Sequence, residues 1–215
     1  MLIGNYFKNV NLSFKNHKFS GLSFNSNNCK KNYIFFAIKG NNLNGNNFIN
    51  HAINKGAKTV VSNIKYEGFK KDVLFIRTNN VRRLLSETVS KIYRKKPKNL
   101  VAVTGTNGKS SIADFYLQIL KLNKKKVASI GTLGINSNKN KIGLQNTTLD
   151  SLQLAKYLSK LKDQKIENVI LEASSHGLSQ HRLDGLKFQI GIFTNLSHDH
   201  LDYHKSYKNY LNAKL

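Results

Sequence analysis

Apolar residues in the first half of the chain form short runs separated by stretches with helical spacing. Three compact runs, Tyr33–Ile38, Thr59–Ser62 and Val73–Arg77, predict buried strands. Between the first two, Asn47–Lys55 predicts a helix, and apolar residues recur at helical spacing from about Asn80 to Arg94. Strands that alternate with helices predict an α/β domain.

The same alternation continues in the second half. Strands are predicted at Leu100–Thr104, Val127–Ile130, Val169–Glu172 and Gln189–Thr194. Helices are predicted at Ser110–Leu122, from the capping residue Asp150 to Lys162, and at Ser206–Leu215. In the first of these helices, one apolar face is expected to comprise Ile112, Phe115, Tyr116, Ile119 and Leu120. Buried strands linked by helices predict a mainly parallel sheet covered on both faces.

The single proline, Pro97, lies in the charged stretch Arg94–Asn99 between the two patterned regions. We therefore predict a small α/β domain over residues 1–97 and a second α/β domain over residues 98–215.

A glycine-rich loop joins a predicted strand to a predicted helix in the second domain. Its sequence is Thr104-Gly105-Thr106-Asn107-Gly108-Lys109-Ser110. Glycines let backbone N–H groups approach phosphate oxygens, and the following helix directs its positive end at them. Lys109 can reach the terminal phosphates and the Ser110 hydroxyl can bind Mg²⁺. The loop departs from the standard G-x-x-x-x-G-K-S/T pattern, because Val103 occupies the position of the first glycine.

Histidines and acids concentrate near the end of the chain. Five of the seven histidines and four of the eleven acids fall between Glu172 and His204, in two blocks that each follow a predicted strand. Residues at the carboxyl ends of parallel strands face the ligand crevice, so this cluster predicts a metal site. Zinc is one possibility, but phosphate chemistry beside such a loop favours Mg²⁺ and oxygen ligands.

Composition limits the classes of function. The net charge of +24 suggests nucleic-acid binding, but lysines are scattered through every segment without a basic tail or arginine stripe. A single cysteine excludes an intramolecular disulfide and fits a reducing cytoplasm. The sequence has no run of about 18 apolar residues, so no membrane span is expected.

The loop T-G-T-N-G-K-S resembles the ATP loop of Mur ligases and folylpolyglutamate synthases, which also lack the first glycine. The block E-A-S-S-H-G-L-S-Q-H-R from Glu172 to Arg182, and N-L-S-H-D-H-L-D-Y-H from Asn195 to His204, are similar to blocks of the MurE branch of the Mur ligase family. The resemblance implies an ATP-dependent ligase of peptidoglycan precursor synthesis. Such enzymes transfer the γ-phosphate of ATP to a carboxylate, and an amine then attacks the acyl phosphate. The implied acceptor is UDP-N-acetylmuramoyl-L-alanyl-D-glutamate, and the implied amine is meso-diaminopimelate or L-lysine.

The resemblance also implies site residues. By this match Ser110, Glu172 and His200 bind Mg²⁺, and His200 and Lys109 belong to the catalytic residues. The muramyl-peptide contacts implied are Asn146, Thr147, Thr148, Ser174, Gln180 and Arg182. A guanidinium such as that of Arg182 suits a carboxylate or phosphate.

The first domain follows the UDP-binding domain of the same family. The implied UDP contacts are Ser26 and the turn of Gly40, Asn41 and Asn42. The chain departs from the family pattern at Asn25, Asn27 and Asn44, where the family has Asp, Arg and Asp.

Lys214 lies on the same predicted helix face as Tyr207, Tyr210 and Leu211. An inward lysine is unusual unless it is paired or modified, although its stem can also be buried while the ammonium reaches water. In the MurE family the matching lysine carries a carbamate, which would supply a negative oxygen ligand for a second Mg²⁺.

Two alternatives remain open at the level of sequence. One is another member of the superfamily, such as a different Mur ligase or a folylpolyglutamate synthase; the other is a basic nucleic-acid-binding NTPase. The MurE resemblance further implies a cytoplasmic monomer that interacts with neither membrane nor nucleic acid. It also implies that these residues are the amino-terminal part of a three-domain enzyme, so that the second domain is incomplete and the 215 residues are expected to be inactive alone.

Overall fold

The structure is a computed structural model that describes residues 1–7, 10–40, 43–138, 140–144 and 146–215. It divides into two compact units, Met1–Thr88 and Val89–Leu215. The division falls within a helix, whereas the sequence places a domain boundary at Pro97, which stays a prediction. No helix in the described ranges is long and apolar enough to cross a bilayer.

Unit 1, Met1–Thr88, contains a five-stranded sheet within its described residues, in the order β1-β2-β3-β5-β4. The strands are β1 (Gly21–Ser23), β2 (Tyr33–Phe36), β3 (Ala57–Ser62), β4 (Gly68–Lys70) and β5 (Val73–Arg77). Only the edge strand β4 pairs antiparallel in this sheet as described; the other pairs are parallel. The core on the sheet includes Phe35, Ala52 and Val60, each at most 1% exposed. The predicted α/β domain is confirmed for this unit.

The helices of unit 1 are short. Single 3-10 turns lie at Ile3–Asn5, Leu12–Phe14, Ser26–Asn28 and Gly45–Phe48. The helix predicted at Asn47–Lys55 begins with the last of these turns and continues as α1 (Ile49–Asn54). The helix predicted from about Asn80 to Arg94 is α2 (Val81–Ile92), across which the two units divide.

Unit 2 contains a six-stranded sheet in its described part, in the order β11-β6-β10-β7-β8-β9. The strands are β6 (Asn99–Thr104), β7 (Val127–Gly131), β8 (Gly134–Ser137), β9 (Lys141–Ile142), β10 (Asn168–Glu172) and β11 (Ile190–Phe193). The four strands predicted from sequence pair in parallel, and β8 and β9 add an antiparallel extension. The helices are α3 (Lys109–Leu122), α4 (Ser151–Asp163), α5 (Ser175–Ser179), α6 (Leu201–His204) and α7 (Tyr207–Lys214). The mainly parallel α/β fold is confirmed.

The parallel register brings the functional segments to one edge. β10 lies between β6 and β7, with Glu172 paired to Val103 and Leu171 paired to Ile130. The loop after β6, the residues after β7 and the end of β10 therefore emerge side by side. At the start of α4, the Asp150 carboxylate accepts the Gln153 N–H at 2.9 Å, as the capping pattern predicts.

Helix α3 confirms its predicted apolar face only in part: Ile112 and Tyr116 pack against the core. The residues it buries are Ala113 and Leu117, whereas Phe115 is 58% exposed and Ile119 57% exposed. The helix carries more apolar positions than one face can bury. The expectation that both sheet faces are covered also fails at β11, an edge strand where Ile190 is 55% exposed.

We expect the exposed face of α3 to cause self-association of the 215-residue chain. Phe115, Ile119 and Leu122 share that face at helical spacing, and Leu122 is 82% exposed. Replacing both Phe115 and Ile119 with lysine should raise, several-fold, the protein concentration at which light scattering first detects aggregates. Leu12→Lys is the matched control, because Leu12 is 77% exposed but lies in a 3-10 turn of unit 1. Unchanged aggregation in the double variant would show that another surface is responsible.

Candidate functional site

The glycine-rich loop connects β6 to α3 as the sequence predicts. Gly108 has a φ of +82°, a left-handed conformation that favours glycine, and it immediately precedes the first residue of α3. Because Gly108 has no side chain to cap the helix, the first N–H groups of α3 are left for a ligand. This is the geometry of an anion site at a helix N-terminus.

Two lysines converge on this loop. The Lys109 ammonium donates to the carbonyl oxygens of Gly105 and Thr106 at 2.8 and 2.7 Å. The Lys214 ammonium also donates to the Gly105 carbonyl, at 2.8 Å, and lies 4.6 Å from the centre of the Tyr210 ring. Burial lowers the pKa of Lys109, although Glu172 and Asp199 oppose this effect. Burial, reinforced by the charge of Lys109, lowers the pKa of Lys214 to about 8.

Glu172 is a buried carboxylate at the end of β10, 3% exposed. Its Oε2 accepts hydrogen bonds from the hydroxyls of Ser110 at 2.9 Å and Thr132 at 3.0 Å. Its Oε1 accepts the Thr132 backbone N–H at 3.0 Å. The carboxylate is thereby held directly beside the serine of the glycine-rich loop.

The carboxyl-terminal helix α7 is tied to the same loop. Tyr210 is fully buried and its hydroxyl lies 3.0 Å from the Thr106 hydroxyl oxygen. That oxygen also accepts the Ser197 N–H at 3.0 Å. Lys214, one turn after Tyr210, is 8% exposed, so the predicted inward orientation is confirmed.

Histidine rings pack together next to α7. The rings of His176 and His200 are 4.8 Å apart, and His176 is 5.6 Å from His204. Burial lowers the pKa of both His176 and His204, and neighbouring histidines add to the effect. His200 has a left-handed φ of +51°, and its backbone N–H donates to the Asp199 carboxylate at 2.8 Å.

These groups enclose a cavity of about 270 Å³. It is lined by Gly105, Thr106, Asn107, Gly108, Lys109, Ser110, Ser111, Thr132, Thr147, Glu172, Ser174, Ser175, His200, Tyr210 and Lys214. The predicted ATP-loop residues other than Thr104 are in this set, as are all four predicted metal ligands. Thr104 lies just behind it, where its hydroxyl donates to the Ala173 carbonyl at 2.8 Å.

The predicted muramyl-peptide contacts differ in availability, and two of them line the cavity. Thr147 and Ser174 line it, and Asn146 is exposed. Thr148 is 4% exposed, and its hydroxyl donates to the Glu172 carbonyl at 2.9 Å. Thr148 therefore fixes the turn to β10.

Gln180 and Arg182 form a bonded pair beyond that turn. The Arg182 guanidinium donates twice to the Gln180 side-chain oxygen, at 3.2 and 2.8 Å, and also donates to the Thr148 carbonyl. Burial lowers the pKa of Arg182. These hydrogen bonds orient the guanidinium of Arg182.

The predicted UDP contacts belong to unit 1. Ser26 is 7% exposed and starts a 3-10 turn, and Gly40 donates its N–H to the Leu43 carbonyl at 2.8 Å. Asn41 and Asn42 lie outside the described residues. Asn25 and Asn44, which replace family aspartates, each cap a 3-10 turn through the side-chain oxygen. An amide oxygen accepts such a hydrogen bond as a carboxylate does, so these two replacements preserve local structure.

The donor set fits a hard cation. The Glu172 carboxylate and the Ser110 and Thr132 hydroxyls are oxygen donors of the kind that Mg²⁺ prefers, and they lie beside a phosphate-type loop. Among the described residues, no three histidine, cysteine or acidic side chains are grouped closely enough to hold a metal by themselves.

Two features of the site were not predicted from the sequence: the role of Thr132 and the contact between Thr106 and Tyr210. Thr132 follows β7 at the edge of the sheet where ligands bind, and this position was the available signal. The contact between Thr106 and Tyr210 joins residues 104 positions apart, and no local pattern reveals it.

Comparison with known proteins identifies the class. The sequence pattern of the Mur ligase middle domain matches residues 103–215. The chain belongs to the Mur ligase family.

Two similar relatives carry the same name. The UDP-N-acetylmuramoyl-L-alanyl-D-glutamate--2,6-diaminopimelate ligase of Rickettsia prowazekii (strain Madrid E) is 46% identical over 215 residues, covering 96% of this chain and 44% of that protein. The ligase of the same name from Clostridium tetani (strain Massachusetts / E88) is 40% identical over 198 residues, 90% of this chain and 41% of that protein. The chain thus spans less than half the length of these relatives.

Solved structures of Mur ligases superpose on this chain. A structure of a UDP-N-acetylmuramoyl-L-alanyl-D-glutamate--2,6-diaminopimelate ligase superposes with a TM-score of 0.79 at 31% identity, covering 95% of this chain and 42% of that chain. The MurF ligase of Thermotoga maritima in complex with ADP gives a TM-score of 0.56 at 21% identity, covering 90% of this chain and 41% of that chain, which shows a shared fold. The resemblance of the chain to the MurE branch is confirmed, and these relatives favour it over the two alternatives.

Proposed function

We propose that this chain carries the UDP-binding and ATP-binding parts of a ligase that adds meso-diaminopimelate, or L-lysine, to UDP-N-acetylmuramoyl-L-alanyl-D-glutamate. The observation that carries the proposal is the single cavity in which Lys109, Ser110 and Glu172 meet the turn at Thr147. The names of the relatives support the choice of substrate, and diaminopimelate is the amine in those names.

In the proposed reaction, ATP lies with its phosphates on the loop from Thr104 to Ser110. A carboxylate oxygen of the UDP-linked substrate forms a bond to the γ-phosphorus, the bond from that phosphorus to the bridging oxygen of ADP breaks, and an acyl phosphate results. The amine then attacks the acyl carbon, a C–N bond forms, and phosphate and a proton leave. The chain's own task is to orient the two reactants and to offset negative charge.

Each residue of the site has a separate role that follows from its chemistry. Lys109 leaves its two carbonyl partners to bind the β- and γ-phosphates, and the N–H groups at the start of α3 hold phosphate oxygens. Ser110, Glu172, His200 and a carbamylated Lys214 would hold Mg²⁺, which supplies positive charge at the transferring phosphoryl group when bound. Arg182 offers its guanidinium to an acidic group of the substrate.

Binding of the UDP moiety is assigned to unit 1, through Ser26 and the turn of residues 40–42. A cytoplasmic monomer is part of the proposal: the MurE resemblance implies it, and UDP-linked precursors are soluble.

The proposed reaction is tested on the complete gene product. UDP-N-acetylmuramoyl-L-alanyl-D-glutamate, ATP and Mg²⁺ are supplied with either meso-diaminopimelate or L-lysine, and the UDP-tripeptide and ADP are quantified by chromatography and mass spectrometry. We expect one ADP per tripeptide and a clear preference for diaminopimelate. Omitting the UDP-linked substrate is the control and should remove amine-dependent ADP formation. ATP hydrolysis without an amide product from either amine, or stimulated only by nucleic acid, would contradict the proposal.

A further inference from the structure

Thr132, the first residue after β7, contacts both the buried carboxylate and the predicted substrate turn. Its backbone N–H donates to Glu172 Oε1 and its hydroxyl donates to Glu172 Oε2, both at 3.0 Å. One residue therefore holds both oxygens of the carboxylate. The same hydroxyl oxygen lies 3.0 Å from the hydroxyl oxygen of Thr147.

The direction of these hydrogen bonds follows from proton counting. A threonine hydroxyl has one proton to donate and two lone pairs to accept with. Because the Thr132 proton goes to Glu172, Thr147 must be the donor to Thr132. A continuous chain results, in which Thr147 donates to Thr132, Thr132 donates to Glu172, and Ser110 donates to the same carboxylate oxygen at 2.9 Å.

The residue before Thr132 makes room for this arrangement. A Cβ atom on Gly131 would lie 2.1 Å from Glu172 Oε1 and 2.3 Å from its Cδ, far inside contact distance. The carboxylate packs directly against the bare Cα of Gly131, and a larger residue would displace it. Gly131 and Thr132 together form a seat that fits the carboxylate in one orientation.

We propose that Thr132 is a positioning residue that aims the Glu172 carboxylate at Ser110 and links it to the Thr147 turn, so that binding of a divalent cation and binding of the UDP-linked substrate are energetically coupled. The inference rests on the proposed function, because that function assigns the cation to Glu172 and the substrate to Thr147. Coupling of this kind is reciprocal: each ligand changes the affinity for the other by the same factor.

The test measures Mn²⁺ binding to the 215-residue chain in the presence of saturating ADP, by electron paramagnetic resonance. Thr132→Val keeps the branched shape and the backbone N–H but removes the hydroxyl, and we expect Mn²⁺ affinity to fall about 10-fold or more, as for other residues that orient a metal ligand. Affinity for ADP without metal should stay within about twofold. Thr132→Ser should restore Mn²⁺ affinity, because it restores the hydroxyl.

The coupling is measured by adding UDP-N-acetylmuramoyl-L-alanyl-D-glutamate. In the wild-type chain this substrate should change the Mn²⁺ affinity, and in Thr132→Val the change should disappear. Thr59→Val is the matched control: Thr59 is buried in unit 1, and its hydroxyl has no hydrogen-bond partner among the described residues. It should leave Mn²⁺ affinity as in the wild type.

The outcomes separate this inference from the proposed function. A wild-type chain that binds no Mn²⁺–ADP would overturn the proposed function and the inference together. A wild-type chain that binds both, alongside a Thr132→Val chain that binds Mn²⁺ equally well, would overturn the inference alone. If Thr132→Val fails to fold by circular dichroism, Thr132→Ala compared with Thr132→Ser decides the matter, since both lack the γ-methyl and only one keeps the hydroxyl. Equal Mn²⁺ affinity in that pair would refute a positioning role.

Discussion

Replacing Lys109 with alanine is expected to lower kcat of ATP-dependent ligation by the complete gene product at least about 100-fold. Removing one well-placed group that stabilises transition-state charge typically costs about 10²–10³ in rate. Lys109 is placed for such a role, since its ammonium rests on the carbonyls of Gly105 and Thr106 at the mouth of the phosphate loop. Burial lowers the pKa of the Lys109 ammonium, and the charges of Glu172 and Asp199 oppose this effect.

Lys121→Ala is the control for this experiment. Lys121 lies on the same helix and is exposed, so its replacement removes the same charge from the helix without touching the loop. Steady-state kinetics measure both variants, and titration calorimetry with ATP on the 215-residue chain provides an independent readout. A Lys109→Ala enzyme that keeps more than about a tenth of wild-type kcat would rule out the assigned role.

Replacing Lys214 with alanine is expected to reduce kcat by a similar factor, with partial recovery when a short carboxylic acid such as acetate is added. A carbamate forms when a neutral amine attacks CO₂, which makes an N–C bond and releases a proton. The lowered pKa of Lys214, about 8, leaves about half of the amine neutral at pH 8, against roughly 0.4% for a lysine of ordinary pKa 10.4. The added acid would replace the missing carboxylate oxygen.

The pH dependence of this modification has a definite sign. Because only the neutral amine reacts, the carbamate content should rise as pH increases through about 8, instead of near the ordinary lysine value. NMR with ¹³C-labelled CO₂ detects the carbamate, and Lys208→Ala, which alters an exposed lysine of the same helix, is the control. Near-normal activity of Lys214→Ala without any added acid would show that Lys214 is only an inward-facing structural residue.

Much of the fold follows from local sequence, and the elements that the sequence failed to predict were missed for physical reasons. Strands β2, β5, β6 and β10 are compact apolar runs, and each was predicted within two residues. Strands β4, β8 and β9 escaped prediction because segments such as Gly68–Lys70 and Lys141–Ile142 are short and polar. They form antiparallel backbone pairs at or next to a sheet edge, and such pairing leaves little trace in the pattern of side chains.

In the candidate site too, some features could be predicted from the sequence and others could not. The loop around Lys109 was predictable because glycine, lysine and serine have distinct tasks at fixed spacing. The orientation of Glu172 was not, because it depends on Thr132, which follows a different strand, β7. The face of α3 was mispredicted at Phe115 and Ile119, because these residues fit a helical period as well as Ala113 and Leu117 do; periodicity alone does not say which stripe meets the sheet.

Two glycines of this site, Gly108 and Gly131, resist replacement by an L-residue for different stereochemical reasons. Gly108 requires a handedness: its φ of +82° disfavours L-residues, yet the nearest atoms to an added Cβ are 4.0 Å away. A D-amino acid, the mirror image, adopts that φ without strain. Gly131 has no such φ, and an L-side chain there is excluded by occupied space alone. Placing a D-amino acid at either position of a chemically synthesised chain would therefore distinguish the two cases. Gly108 is required for its backbone conformation, whereas Gly131 is required because a side chain would collide with Glu172.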